Sequence, residues 1–424
     1  MASESASTTS DAAMAEAERA AREYLPLPKA ERRGTALCLS GGGYRAALFH
    51  LGALRRLNEL GILTGIDTFT SVSGGSIIAA VLARQAATWP QSGTAIPDWD
   101  RTVAEPMRTF ARRNIRTGPL GKRLLPWNWT DGSAGVRALA DEYEQHLIPE
   151  RFGELPANPR FVFCATDMTF GVNWVFDSHQ FGDVKGRVGD YQAGYVRPVP
   201  GDWPAALAVA ASSCCPPLFD PLPVGLAATD FRDPGKYQKA DRADLLARIG
   251  LSDGGVYDNM GLEPVWKDHA TVLVSDGGAV FEGEQDHGVF WRLMRYASIA
   301  ESQARNLRKR WLIAGFLKEE LRGTYWGIGG VTSHYPAKSR GYEEELVDDV
   351  ISEVRTDLDA FSPDEMNVLE NHGYLLAEAA IRSHSPDLVR IDAPLAIPYE
   401  DWMTAERVRA GLADSGKRHL IGRR

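Results

Sequence analysis

Cysteine is scarce in this chain: Cys38, Cys164, Cys214 and Cys215 are the only four in 424 residues. They show no CxxC spacing and no paired histidines, so no zinc-ligand pattern is present. Cys214 and Cys215 are neighbours, an awkward geometry for a mutual disulfide, and all four are expected to be reduced, as in a cytosolic protein. Long apolar runs are missing too. No stretch of about 18 uninterrupted apolar residues occurs, so no membrane-spanning helix is expected. The start, "MASESASTTSDAAMAEAERAAREYLPLPK", lacks the basic and apolar parts of a secretory signal and reads as a loose tail or marginal helix over 1–33. Positive charge is in deficit. The net charge is −9, which argues against a general nucleic-acid binder.

Hydrophobic residues make up 44% and charged residues 24%, the balance of a globular chain. "TALCLS" is a short apolar run that stops at three glycines and reads as a buried strand. Ala47, Leu51, Leu54, Leu57 and Leu60 then recur at helical spacing, and Gly61 is a fitting stop. "IDTFTSV" predicts a second strand and "GGSIIAAVLARQAA" a second, buried helix. Strand, helix, strand, helix within about fifty residues implies parallel strands with right-handed crossovers. "RFVFCATDM" and "NWVFD" read as a strand pair, and "TVLVSD" as another buried strand. Residues 86–135 look irregular. Beyond about 285 the pattern turns helical, best in "SPDEMNVLENHGYLLAEAAI", where Ser362, Pro363 and Glu365 spell a capping box. The division expected is a tail over 1–33, a core over 34–285 and a helical region over 286–424.

Two glycine-rich turns follow the first two strands. "SGGGYRA" (40–46) offers unpaired amides at a helix N-terminus. It fits an oxyanion hole made of Gly41, Gly42, Gly43 and Tyr44 with Arg45 nearby, or a phosphate cradle. The second turn, "SVSGGS" (71–76), fits a nucleophile elbow centred on Ser73, because Ser71 and Gly75, two residues to either side, are both small. A plain capping turn gives the same letters. The serine needs a base, and "LSDGGVYDN" offers Asp253, although an Asx turn also favours Asp-Gly. "SDGG" recurs at Ser275, which makes Asp276 a rival. His50 reads as a structural histidine, and Asp167 as a strand-end tie.

"LCLSGGGYRAALFHLGAL", "SVSGGSIIAAVLA" and "LSDGGVYDN" stand in the order and approximate spacing of the patatin-like phospholipases, which the chain resembles over roughly residues 34–285. "FVFCATDMTFGVNWVF" and "AVAASSCCPPLFDPL" also look like segments of that family. The resemblance implies an α/β fold: a three-layer α/β/α sandwich with a mostly parallel central sheet, plus a helical C-terminal extension. It implies a lipid acyl hydrolase with Ser73 as nucleophile, Asp253 as base and the 41–44 turn as oxyanion hole, using no metal or organic cofactor. Ser71 and Ala46 stand where the family has glycine, and neither removes a reactive group. The alternative is a nucleotide-binding regulatory module built on the Gly41–Gly43 turn. The expected partner is a lipid or ester substrate and not nucleic acid, and the expected location is cytoplasmic, with peripheral membrane contact.

That contact has candidates. In "WRLMRYASIAESQARNLRKRWLIAGF" a cluster of Arg305, Arg308, Lys309 and Arg310 suits a helix lying against anionic lipid. A core-packed helix with a solvated charged face is the commoner source of such a pattern. Trp127 and Trp129 read as lid aromatics or as ordinary packing. The basic tail residues Lys417, Arg418, Arg423 and Arg424 are further candidates.

Overall fold

The computed structural model describes residues 25–123, 132–181, 184–197, 199–278 and 288–415. Within them one sheet holds ten strands: β1 (Thr35–Leu39), β2 (Thr68–Ser71), β3 (Arg160–Asp167), β4 (Val172–Phe181), β5 (Val184–Asp190), β6 (Gly194–Val196), β7 (Leu222–Pro223), β8 (Gly250–Asp253), β9 (Thr271–Asp276) and β10 (Arg322–Gly327). The order is β10-β9-β1-β2-β3-β4-β5-β6, with β8 pairing to β3 and β7 to β8. The strands from β10 to β3 run parallel, and an antiparallel extension follows. The helices that matter here are α1 (Gly43–Glu59), α2 (Gly74–Gln85), α3 (Ala205–Ser213), α4 (Gly255–Asp258), α5 (Val289–Leu317) and α6 (Pro363–His384).

Side-chain alternation sorts the core into layers. Leu37, Leu39 and Leu273 point to one face and pack with Leu51 and Leu54 of α1 and Leu369 and Leu376 of α6. Ala36, Cys38, Val272 and Val274 point to the other and pack with Leu262, Val265 and Leu312 of α5. Both faces of β1 and β9 are covered, which is why their sequences are continuous apolar runs.

The register around β3 brings the site together. Along one edge, β3 pairs with β2 only as far as Ser71 opposite Phe163. The other edge belongs to β4. Past Phe163 the first edge is taken over by β8, which runs antiparallel and ends at Asp253 opposite Ala165. Two strands therefore approach head-on along one edge, and the residues just past their ends are thrown together.

The region beyond 285 is woven into the same core. β10 extends the sheet beside β9. Helix α6 crosses α1 so closely that a side-chain carbon at Gly52 would lie 1.8 Å from the Glu370 carbonyl oxygen, and one at Gly373 would lie 1.9 Å from that of Phe49. The Ser362 hydroxyl accepts the Glu365 amide at 3.2 Å and the Glu365 carboxylate accepts the Ser362 amide at 2.7 Å, the capping box the letters predicted. Two readings need correcting. The "irregular" stretch 86–135 contains helices Glu105–Ala111 and Thr117–Arg123, too short to show an apolar stripe. The helical reading beyond 285 missed β10, whose "RGTYWG" is short and flanked by glycines.

Candidate active site

Ser73 sits between the end of β2 and the start of α2 with φ 49° and ψ −115°. A non-glycine residue at positive φ costs on the order of 1–3 kcal/mol and persists only where its neighbours hold it. Here the Ser73 amide donates to the Ser212 hydroxyl at 2.9 Å and to the Ser212 carbonyl at 3.1 Å. The Gly75 amide donates to Val72 at 2.8 Å. Small residues are obligatory after the serine: a side-chain carbon at Gly74 would lie 2.1 Å from the Gly43 carbonyl oxygen, and one at Gly75 2.1 Å from that of Leu39. Ser71, in place of a glycine, is accommodated because its hydroxyl donates to the Val162 carbonyl at 3.3 Å and accepts from Ser76 at 3.0 Å.

Asp253 ends β8 and is 5% exposed. Its carboxylate accepts the Gly255 amide at 2.7 Å and the Ser73 hydroxyl. Burial pushes it up to about 7; those two hydrogen bonds oppose the rise and the charge of Glu301 adds to it. The turn is aligned by Ser212, whose carbonyl also accepts the Gly254 amide at 3.2 Å. One residue at the end of α3 thus fixes both partners. The sequence reading did not single it out, and its only signal was the segment "AVAASSCCPPLFDPL".

The glycine turn lies against the elbow, but its members differ. The Gly41 amide donates to the Asn259 carbonyl at 3.0 Å and the Tyr44 amide to the Asp357 carbonyl at 2.9 Å. Arg45 is buried, and its guanidinium donates to the carbonyls of Ser352 at 3.1 Å, Val354 at 2.9 Å and Gly277 at 3.2 Å. Gly42 and Gly43 have φ of 140° and 56°, and among the described residues their amides make no hydrogen bond. Asn259, from the "VYDN" string, is a second tie that was not foreseen.

The rival groups are otherwise engaged. Asp276 accepts the Gly278 amide at 3.0 Å and the Tyr325 hydroxyl at 2.8 Å. His50 is wholly buried between the Ser275 hydroxyl at 2.7 Å and the Ser40 carbonyl at 3.0 Å, and burial pushes its imidazole down to about 4. Asp167 accepts the Thr169 amide at 2.6 Å and hydrogen-bonds Asp190, so it ties a strand end to a turn; burial raises both carboxyls. A cavity of 1280 Å³ opens on the Asp276 side, lined among others by Asp276, Arg305, Lys309 and Tyr325; Ser73 and Asp253 do not line it. Among the described residues no three His, Cys, Asp or Glu side chains are grouped to hold a metal ion.

The basic cluster of α5 turns mostly inward. Arg305 and Lys309 line that cavity, with the Lys309 ammonium 4.4 Å from the Tyr325 ring centroid. Arg308 lies 3.7 Å from Asp258 and stacks over Tyr257. Lys309 and Arg310 are both exposed, and Arg310 does not line the cavity. Trp127, Trp129 and the tail residues Lys417, Arg418, Arg423 and Arg424 lie outside the described residues.

A doubly wound α/β chain with a strained serine against a buried aspartate is thus the class that fold and site define. The family model described as patatin-like phospholipase matches residues 37–266, more than half the sequence, and the chain belongs to that family. No curated protein matches. Among solved structures it is similar to human GIVD cytosolic phospholipase A2 in complex with methyl gamma-linolenyl fluorophosphonate, at 12% identity and a TM-score of 0.45, covering 91% of this chain and 60% of that one. It is also similar to VipD from Legionella pneumophila, at 15% identity and a TM-score of 0.34, covering 91% and 74%. The chain spans about three fifths of the human enzyme's length.

Proposed function

We propose that the chain is a lipid acyl hydrolase with Ser73 as nucleophile and Asp253 as its base. One observation carries this reading: the hydroxyl of a conformationally strained serine donates to a buried aspartate whose proton affinity has been raised to about 7. A base poised near neutral pH suits proton transfer. Ser73 Oγ attacks the ester carbonyl while its proton passes to Asp253. The carbonyl oxygen becomes negative and is held by the amides of Gly42 and Gly43, the two of the turn with no other partner among the described residues. Collapse expels the alcohol, which takes the proton from Asp253, and leaves an acyl-serine. Water attacks that ester, giving a proton to Asp253, which passes it to Ser73 Oγ as the fatty acid leaves, and both groups return to their starting state. In this reading Gly41, Tyr44 and Arg45 shape the oxyanion turn without donating to it. A phosphate cradle would leave the Ser73–Asp253 contact without a use.

The test is covalent labelling with a fluorophosphonate. The adduct is expected on Ser73 and not on Ser40, Ser71 or Ser76, and hydrolysis of a p-nitrophenyl ester should vanish in Ser73→Ala. An adduct mapped to another serine overturns the assignment. The substrate is proposed to be a membrane lipid reached by peripheral contact; among the described residues no helix is long and apolar enough to cross a bilayer.

A further inference from the structure

Helix α5 is amphipathic in an unusual sense. Successive residues turn by about 100°, so positions separated by seven, eleven or fifteen share a face. Among its described side chains Ser302, Leu312 and Gly315 are buried, and they face the body. The opposite side carries Val289, Tyr296 and Leu307, exposed to 74%, 65% and 59%, while Trp311, 39% exposed, packs edge-on against Trp266 at the margin of that side. Ile299 and Leu317 flank that stripe. Among the described residues eleven large apolar side chains are exposed, and six of them belong to this one helix. A soluble surface scatters such residues singly, whereas a stripe about 27 Å long from Val289 to Leu307 marks a place where something docks.

Charge says what docks. Helix α5 holds six basic residues and one acidic residue, in a chain whose net charge is −9. The acidic one, Glu301, lies on the Asp253 side, where its charge is felt by that carboxylate. The apolar stripe contains no acidic residue, and Arg310 and Lys318 border it, both exposed. An apolar face with Arg310 and Lys318 at its edge, and with Glu319 and Glu320 exposed only past the end of the helix, matches an anionic lipid surface, with the apolar side chains in the acyl boundary and the cations at the headgroups.

We propose that the outward stripe of α5, and not the 305–309 cluster, seats the protein on anionic bilayers. The choice of a lipid surface rests on the hydrolase reading above. The same helix contacts the body through α4, directly after Asp253: Arg308 of α5 stacks over Tyr257 and lies 3.7 Å from Asp258. Seating α5 on a bilayer therefore anchors a helix that packs directly on the turn following Asp253.

The experiment separates docking from chemistry. Ser73→Ala protein, which cannot degrade the membrane, is sedimented with vesicles of phosphatidylcholine alone or mixed with phosphatidylglycerol. Partitioning is expected to rise with phosphatidylglycerol and to fall with salt. Adding Val289→Ser, Tyr296→Ser and Leu307→Ser should weaken it about tenfold or more. The same three changes in the otherwise wild-type chain should leave hydrolysis of a soluble short-chain ester unchanged. Arg310→Gln with Lys318→Gln, which touches no packed residue, should cost about fivefold per charge on the anionic vesicles and nothing on the neutral ones. It decides the matter should the triple variant misfold. Partitioning unaltered by either set overturns the proposal. So does a loss of dimerisation in the triple variant with vesicle binding intact, which makes the stripe a contact between copies. A wild type that binds vesicles but hydrolyses no ester overturns the hydrolase reading and leaves the docking surface standing.

Discussion

The string "SDGG" occurs twice, and the two copies make different sites from the same local geometry. Each aspartate ends a buried strand. Each turns its Oδ1 back on the amide two residues later, Gly255 at 2.7 Å and Gly278 at 3.0 Å, as an Asx turn does. Their exposures are 5% and 6%. The tetrapeptide therefore dictates an aspartate on a tight turn and nothing more. What separates the copies is the partner supplied from elsewhere: the hydroxyl of a strained serine for Asp253, the hydroxyl of Tyr325 for Asp276. That difference comes from strand direction. β8 runs antiparallel to β3 and meets the end of β2 head-on, whereas β9 runs parallel to β1 and ends beside β10.

The largest expected effect breaks the symmetry outright. Asp253→Asn should lower kcat on a soluble ester by about a thousandfold or more, because it removes the group proposed as base to the nucleophile. Asp276→Asn should keep most of the activity. Equal losses, with circular dichroism unchanged, would mean that the tyrosine-bound copy also takes part in the chemistry.

This comparison also marks how far the sequence could be read. The strands "TALCL" and "TVLVSD", the first helices and the capping box at Ser362 were legible because period and caps are local. That Ser73 and Asp253 lie together was legible only through motifs in a set order. Asp253 could be ranked above Asp276 by its "VYDN" neighbours, and the structure gives those letters a use: the Asn259 carbonyl holds the Gly41 amide. Other features were not legible. No local signal says that the Gly41 and Tyr44 amides meet carbonyls of distant segments while those of Gly42 and Gly43 do not. Nor does any say that Ser212 binds both halves of the site. The cationic letters of α5 were visible, but which of them face the body is a matter of helix rotation against a sheet.

The pH dependence sharpens the contrast next. In the proposed mechanism Asp253 must be ionised to act, so kcat/KM should rise through about pH 7 and be lost below it. The same titration works against the fold. A carboxyl whose native proton affinity is raised stabilises the native state below the ordinary carboxylate range of about 4, and that contribution disappears as pH rises to about 7. Asp253→Asn should therefore unfold at higher denaturant than wild type at pH 8, with little difference at pH 4. Glu301→Gln removes a charge that raises Asp253, so the rate profile should move to lower pH. Asp276→Asn should leave that profile where it is. A profile unmoved by Glu301→Gln would mean that burial alone sets the affinity of Asp253.

The smallest expected effect concerns the other copy. The Tyr325 hydroxyl donates to Asp276 Oδ2 at 2.8 Å and ties the edge strand β10 to the end of β9. In Tyr325→Phe the ring remains, so Lys309 keeps the face over which it sits, and the main chain of the parallel pair is untouched. What is lost is one hydrogen bond to a nearly buried carboxylate, which in general contributes about 1.5–3 kcal/mol. The cavity beside Asp276 admits water and Lys309 lies on its wall, so the loss should fall at or below the low end of that range, about 1–1.5 kcal/mol. The measurement is the shift of the chemical-denaturation midpoint, read beside ester turnover. Stability should drop while kcat stays within about twofold of wild type, because the proposed mechanism gives Asp276 no part in the Ser73 chemistry. A Tyr325→Phe enzyme that keeps its stability but loses turnover would reverse the roles assigned to the two turns.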